Sequence, residues 1–364
     1  MPGPNGGSRR PRLLDIAEAS GLSRAQVGRA LADYGQVSAE TRELVLRTAE
    51  ELGYVPNRMA RSMRSQKVTT IGVVVGDIGN SYFARAVRGI SDVARDQKLD
   101  VLLVNSDENV AEEATLVRAL QEAQVGGLIV APADHSVVEH LQRLQAAGIP
   151  VVLFDRPAGF EFDLVVTRNF EGGRMAVDHL WDAGHRDIGV IAAGLRSIDD
   201  IRALVQGGVD DEISALAHEL DPDSARAAGA LARLTQLGAR TDRVLSLIHG
   251  HDGGRAATEV MLRAAGRPTA LIMTSNTMSL GTLEGVRNVG LAVPEDLSLL
   301  GFDDLEWATV VSPPLSVIAQ PAQEVGAEAV RLLVERMQGS RTERVVTTLP
   351  LTLTARGSVG RPPA

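Results

Sequence analysis

The 364-residue chain contains no cysteine, which excludes disulfide frameworks, thiolate nucleophiles and Cys-ligated zinc. No apolar run approaches the ~18 residues that a membrane-spanning helix needs. Met1 to Arg12 is rich in Pro, Gly and Arg and lacks the apolar centre of a secretory signal, so a cytoplasmic location is expected. Lysine is nearly absent: Lys67 and Lys98 stand alone among 37 basic residues. A GC-rich coding sequence produces that bias, and no function attaches to it. Catalytic signatures are missing too, with no Lys-bearing phosphate loop, no Gly-x-Ser-x-Gly and no zincin motif. His249-Gly250-His251-Asp252 is the one cluster of metal-ligand types. Histidine pairs in loops are usually solvated, so neither a metal nor a cofactor is expected. His185 reads as a structural histidine ahead of a strand.

What is present is a globular composition, 44% hydrophobic and 23% charged. At roughly 100–200 residues per domain, the length allows two or three units. The formal net charge of −9 is unevenly spread. Residues 1–67 hold 11 basic and 7 acidic side chains, whereas the rest of the chain holds 26 and 39. That asymmetry describes a small module for an anionic partner attached to an acidic body.

Leu13 to Gln66 reads as short helices with polar punctuation. Leu14, Ile16, Ala17 and Ala19 give a first apolar pattern that ends at Gly21. Ser23-Arg24-Ala25-Gln26 has the form of a capping box, with Ser23 as N-cap and Gln26 reaching back. The helix that follows, to about Ala32, turns Val27 and Leu31 inward and leaves Arg24, Ala25 and Arg29 on its other face. Two short helices joined by a Gly-containing turn form a helix-turn-helix. A third helix runs from an N-cap at Ser38 to about Leu52, with Leu44, Val45, Thr48, Ala49 and Leu52 on one face. Gly53 closes it and Pro56 blocks continuation. The major groove admits one helix, and residues at its start reach base edges. Arg24 and Arg29 there can bridge guanine O6 and N7, and Ala25 can touch a thymine methyl. Ser23, Ser38 and Thr41 suit phosphates, which position without reading sequence. A three-helix protein-interaction module with a solvated Arg face fits the same pattern.

The residues Asp15 to Ser23, Val27-Gly28-Arg29 and Val37 to Arg42, continued by Leu52-Gly53-Tyr54-Val55-Pro56-Asn57-Arg58-Met59-Ala60-Arg61-Ser62-Met63, resemble the headpiece of the lactose/purine-repressor family. The resemblance implies an arm over 1–11, a helix-turn-helix DNA-binding domain over 12–56 and a hinge helix over 57–67. It assigns DNA contacts to Leu13, Ser23, Arg24, Ala25, Gln26, Arg29, Ser38 and Thr41, and in the hinge to Asn57, Arg58, Ala60 and Met63. Gly28 stands where the family has Ser, which removes a phosphate contact. Gly in a helix interior also costs about 0.5–1 kcal/mol relative to Ala. Alone, the hinge is too short for a stable helix in water. Paired with a second copy on DNA, it can order and wedge Met63 into the minor groove. This implies a homodimer on a pseudo-palindromic operator. A flexible linker with two incidental methionines is the plainer alternative.

From Thr69 the chain alternates apolar runs with helical stretches. The runs are Ile71 to Val75, Val101 to Val104, Gly127 to Val130, Val151 to Phe154, Ile188 to Ile191, Val244 to Ile248, Ala270 to Met273 and Leu297 to Leu300. Continuous apolar strands separated by helices mean buried parallel sheets. Two groups of four suggest two similar lobes. Ligands bind beyond the carboxyl ends of such strands. Asp77, Asn80, Tyr82, Phe83, Asp107, Asp155, Arg156, Asn276, Asp303 and Asp304 stand there. Carboxylates, an amide and rings suit a polyhydroxy ligand, although some of these Asp residues can simply cap helices.

The resemblance extends over this body, to the family's periplasmic-binding-protein-like core. Asn80-Ser81-Tyr82-Phe83, Phe154-Asp155-Arg156, Gly184 to Ile188, Pro294 to Ser298, Gly301-Phe302-Asp303-Asp304 and Pro313 to Pro321 carry it. The implied class is α + α/β: a headpiece and hinge, then a core over 68–357. Lobe 1 takes about 68–165 and 321–347, lobe 2 about 166–320 and 348–357, and 358–364 is a tail. The implied effector contacts are Tyr82, Phe83, Asp155, Arg226, Asn276 and Asp303. Thr277 and Arg168 depart from the family's Asp. Residues 197–222 form an insertion just before the helix that carries Arg226. Its Ile213, Leu216, Ala217 and Leu220 share a face, read as a surface excursion lidding lobe 2 or as a cover for the cleft or a partner. The expectation is a DNA-binding repressor, not an enzyme, governed by a small carbohydrate-like effector. A protein corepressor is one alternative, and a solute-binding protein another.

Overall fold

The computed structural model describes residues 11–31, 37–54, 69–159, 161–193, 198–207, 220–247 and 250–363. The chain divides into two units at Thr69/Thr70. The first holds three helices: α1 (Leu13–Ser20), α2 (Arg24–Leu31) and α3 (Ala39–Glu51). Gly21, at φ 69, lets the chain leave α1 in the left-handed conformation, and Leu22 N–H closes back on the Ala17 carbonyl. Ser38 caps α3 by accepting the Thr41 N–H, as its position suggested. Ile16, Ala17, Val27, Ala30, Val45 and Ala49 form the core, flanked by Leu13, Leu22, Leu31, Val37 and Tyr54. Leu14, Ala19 and Leu52, read from sequence as part of the apolar faces, lie exposed instead. A three-helix module this small has no room to cover them. The hinge, with Asn57, Arg58, Ala60 and Met63, lies outside the described residues.

The second unit contains two six-stranded sheets. Its strands are β1 (Thr70–Val75), β2 (Asp100–Asn105), β3 (Leu128–Val130), β4 (Val151–Phe154), β5 (Asp163–Thr167), β6 (Ile188–Ala193), β7 (Val244–Leu247), β8 (Ala270–Met273), β9 (Ser298–Phe302), β10 (Ser316–Ala319), β11 (Val346–Leu349) and β12 (Thr352–Thr354). The first sheet has the order β11-β5-β4-β3-β1-β2 and is wholly parallel. The second has the order β12-β10-β9-β8-β6-β7, with β12 alone antiparallel. All eight apolar runs are strands. The four strands beyond them are β5 and β10, next to the crossovers, and the edge strands β11 and β12, whose threonines hide the apolar signal.

The helices are α4 (Ser81–Asp96), α5 (Val110–Glu122), α6 (Glu139–Ala146), α7 (Asn169–Asp182), α8 (Ile198–Gly207), α9 (Pro222–Gln236), α10 (His251–Arg263), α11 (Asn276–Val289), α12 (Glu306–Val310) and α13 (Ala322–Met337). The chain crosses between lobes three times: after β5, between β10 and α13, and between β11 and β12. Each sheet is sandwiched by helices, and each face has its own apolar cluster.

The first part of the insertion forms α8, which packs on α9 and β7 with Ile201 and Val205 buried in the lobe 2 core, in keeping with a segment that covers lobe 2. Leu220 joins the same cluster, whereas Ile213, Leu216 and Ala217 lie outside the described residues. The expected tail is also part of the fold. Ser358 is buried, accepts the Ser316 N–H at 2.8 Å and donates to the Leu299 carbonyl at 2.7 Å. Buried His185 sits 2.9 Å from the hydroxyls of Thr269 and Ser298 and 3.1 Å from the Gly360 carbonyl, so it ties this segment to the sheet.

Candidate functional site

In α2, Ser23 N–H donates to Gln26 Oε1 at 3.0 Å, and Gln26 N–H returns to Ser23 Oγ at 3.3 Å. The Ser23 hydroxyl also donates to Gln26 Oε1, at 2.8 Å. The capping box therefore occupies the side-chain oxygens of both residues, and Arg24, Ala25 and Arg29 are left as the exposed face. Leu13 is half-buried against the core, and the Ser38 and Thr41 hydroxyls pair at 2.8 Å. The helix start thus presents the Arg24 guanidinium and the Ala25 methyl, with no acidic residue in the first turn, and Arg29 stands exposed in the last turn.

In the second unit, a cleft of about 510 Å³ lies between the lobes. Lobe 1 lines it with Asp77, Tyr82, Phe83, Glu108, Asp155 and Arg156, and lobe 2 with Asp221, Asp223, Arg226, Asn276 and Asp303. All six expected effector residues are brought together here. Asp155 and Asp303 hold matching posts. Each follows its lobe's strand (β4 or β9), has φ of 66 and 68, and donates its backbone N–H to the neighbouring strand, to Val165 and Ile318. Asp tolerates this left-handed conformation better than most residues, and it turns each carboxylate off the strand end into the cleft. Asn276, at the start of α11, donates to Asp303 Oδ2 at 2.5 Å and across the lobes to Asn80 Oδ1 at 3.2 Å. A second bridge runs from Arg85 to the Asp304 carbonyl at 2.6 Å and to Glu306 at 2.8 Å.

Arg226 is 4% exposed. Its Nε donates to Asn169 Oδ1 at 2.9 Å and its Nη1 to the Thr274 carbonyl at 2.7 Å, while its guanidinium lies 4.6 Å from the Phe302 ring centroid. The backbone approach of α7 and α9 holds it there. Gly229 faces the Phe170 carbonyl and Gly173 faces the Arg226 carbonyl so closely that neither site has room for a Cβ. On the lobe 1 side, Tyr82, Phe83 and Phe154 stack edge to face. The Tyr82 hydroxyl is buried beside Asp155 without a well-formed hydrogen bond. Burial raises the titration of both groups: Tyr82 goes well above its ordinary range, and Asp155 goes up despite nearby Arg156 and Arg226.

Asp107 and Asp304, expected in the cleft, do not line it. Asp107 accepts from Asn105 Nδ2 at 2.5 Å on the surface, and Asp304 forms a two-pronged pair with Arg356 at 2.7 and 2.8 Å. Glu108 takes the place expected of Asp107 and pairs with Arg156 through both oxygens. Sequence reading also missed Asp223 and Gln320. Gln320, in a crossover, donates to Asp303 Oδ1 at 2.7 Å and accepts from Thr167 at 2.9 Å. Its place between β10 and α13 was the available signal. Among the described residues no group of three or more metal-ligating side chains occurs, and no helix is long and apolar enough to cross a membrane.

Two family models match: bacterial regulatory proteins of the lacI family over residues 12–57, and the periplasmic binding protein-like domain over 177–359. Catabolite control protein A of Priestia megaterium is 32% identical over 93% of this chain and 96% of its own. A lac repressor dimer bound to operator and the anti-inducer ONPF matches with a TM-score of 0.80 and 25% identity, over 97% of this chain and 100% of that one. The transcriptional regulator CelR in complex with cellobiose matches with a TM-score of 0.69 and 29% identity, over 96% and 100%.

Proposed function

The chain belongs to the lacI family of bacterial regulatory proteins, and on that footing we propose that it is a cytoplasmic homodimeric repressor whose operator affinity is set by a small, sugar-like effector. The observation that carries this is the joining of two devices in one chain. One is a helix with Arg24, Ala25 and Arg29 exposed, and the other is an interlobe cleft lined by carboxylates, amides and rings. Asp155, Asp303 and Asn276 supply acceptors and a donor for hydroxyls, Arg226 supplies a fixed donor, and Phe83 supplies an apolar edge for C–H faces. Because the cleft is lined from both lobes, a ligand that touches both favours one lobe arrangement. It changes DNA affinity only by its differential affinity for the two arrangements. The likeness to a CelR–cellobiose complex supports a saccharide as the effector class. Arg24 and Arg29 read bases, Ser38 and Thr41 meet phosphates, and the hinge residues Asn57, Arg58, Ala60 and Met63 contact the DNA, with Met63 in the minor groove of a pseudo-palindromic site.

The test is operator binding at two salt concentrations. Arg29→Ala should lose discrimination between operator and scrambled DNA, at about 1–3 kcal/mol for a bidentate base contact. A phosphate-contact variant such as Thr41→Ala should weaken both sequences alike. Equal loss on both sequences for Arg29→Ala would overturn its assignment as a base reader.

A further inference from the structure

Resting on the reading that the cleft holds a small effector, we propose that it is built for ligands without phosphate or carboxylate groups, with Glu108 as the specificity-determining residue that neutralises Arg156.

An anionic ligand needs a cation or a ring of N–H donors left open to it. The cleft has two guanidiniums among its lining residues, and the charge of each is offset by a neighbouring carboxylate. Arg156 is gripped through both terminal nitrogens by the two oxygens of Glu108, also donates to the Pro132 carbonyl, and stands 3.8 Å from Asp155. Burial alone would lower its titration, but Glu108 reverses that and fixes the charge as one half of a pair. Arg226 is held by Asn169 and Thr274 and lies 3.8 Å from Asp223. Seven carboxylates line the same space against these two arginines and His135.

Two of the helix starts at the cleft, the usual refuge for an anion, are capped: Asn80 accepts the Tyr82 N–H of α4, and the Asp221 carboxylate takes the Ser224 N–H of α9. The starts of α10 and α11 carry no side-chain cap, and at α11 the Asp303 carboxylate already stands 2.5 Å from Asn276 Nδ2. Glycine at residue 76 leaves room for the Glu108 carboxylate in this position. A Cβ there would overlap the Glu108 carboxylate. The buried Tyr82 hydroxyl sits beside Asp155, and a phosphate placed there would face Asp155 and Asp303 together.

Inorganic phosphate is the direct probe. Melting of the full-length protein is compared in phosphate and in chloride of equal ionic strength for the wild type, Glu108→Gln and Glu108→Gln/Arg156→Met. Phosphate held by the DNA-binding module is common to all three and cancels. The expected result is no cleft-dependent stabilisation of the wild type. Glu108→Gln should gain at least fivefold in phosphate affinity, and the double variant should lose that gain. If Glu108→Gln does not fold, Glu108→Asn, better suited to φ 56 at this position, gives the same readout. Phosphate binding by the wild type that the double variant abolishes, or no gain on removing the Glu108 charge, overturns the proposal. Glucose and glucose 6-phosphate are run alongside, and binding of the phosphate ester in preference to the sugar overturns it too. The phosphate pattern supports the proposal even where no sugar shifts the melting, a result that would count against the effector reading alone.

Discussion

Gly229→Ala probes how Arg226 is held. In an exposed helix interior, replacing Gly with Ala stabilises by about 1 kcal/mol. At residue 229 the added Cβ would sit 1.9 Å from the Phe170 carbonyl oxygen and 2.8 Å from its carbon. The closest comfortable C···O approach is about 3.3 Å, so α7 and α9 must part by roughly 1.4 Å. Neither atom belongs to a side chain that can swing away. Because the clash is with backbone, the overpacking cost lies in the upper part of the usual range, at about 2–3 kcal/mol, which outweighs the helix-propensity gain. The expected net loss is about 1–2 kcal/mol, or about 2–8 °C in melting temperature for a unit of this size. The functional loss should exceed the stability loss. Parting the helices draws Arg226 off bonds of 2.9 and 2.7 Å to Asn169 and Thr274, so effector affinity should fall at least tenfold. Calorimetric unfolding with and without ligand reads both quantities. A melting temperature equal to or above that of the wild type would refute the reasoning, because the gain in propensity would then have met no clash.

Other perturbations separate fold from function. Asp155→Asn keeps a residue type at home in the left-handed backbone and removes a charge that burial disfavours. Because the folded-state titration of Asp155 is raised, the folded chain holds its proton to higher pH than the unfolded chain. Stability therefore falls as pH rises through the window from about 3.9 upward. The variant should unfold at higher temperature than the wild type at neutral pH, with the difference shrinking toward pH 4, while losing effector affinity; a pH-independent difference in melting would refute this. His185 titrates low because of burial, so the wild type should lose stability as pH falls below about 6.5. His185→Gln should show a shallower acid slope between pH 7 and 5. Gly28→Ala should raise the headpiece's stability by about 0.5–1 kcal/mol, read by thermal circular dichroism of the full chain, and a loss would show that the position needs glycine for a contact.

Much of this was legible because local chemistry and fold agreed. Ser23 and Gln26 announced a capping box, and the eight buried runs announced parallel strands whose carboxyl ends carry Asp155, Asn276 and Asp303. The failures have physical causes. At 107 and 108 two successive residues adopt positive φ (51 and 56), which swings Asp107 to the surface and Glu108 into the cleft. Strand-end counting cannot anticipate that reversal. Edge strands β11 and β12 are half-exposed, so their threonines look like loop residues. Ile201 and Val205 of α8 went unread because a segment inserted beside a known helix has no partner in the sequence pattern. Only the packing against α9 and β7 supplies one. Gln320 and Thr167 belong to different crossovers, and no local pattern brings them together.

The central claim is that occupancy of the cleft sets affinity for DNA. The direct measurement is an anisotropy titration of the full-length protein on a labelled palindromic operator, with and without a saturating sugar first identified by thermal shift. Operator affinity should change at least tenfold with the ligand bound, and Asn276→Ala, which removes the amide joining Asp303 to Asn80, should abolish the change while leaving ligand-free operator binding intact. An operator affinity identical with and without a bound ligand would contradict the account.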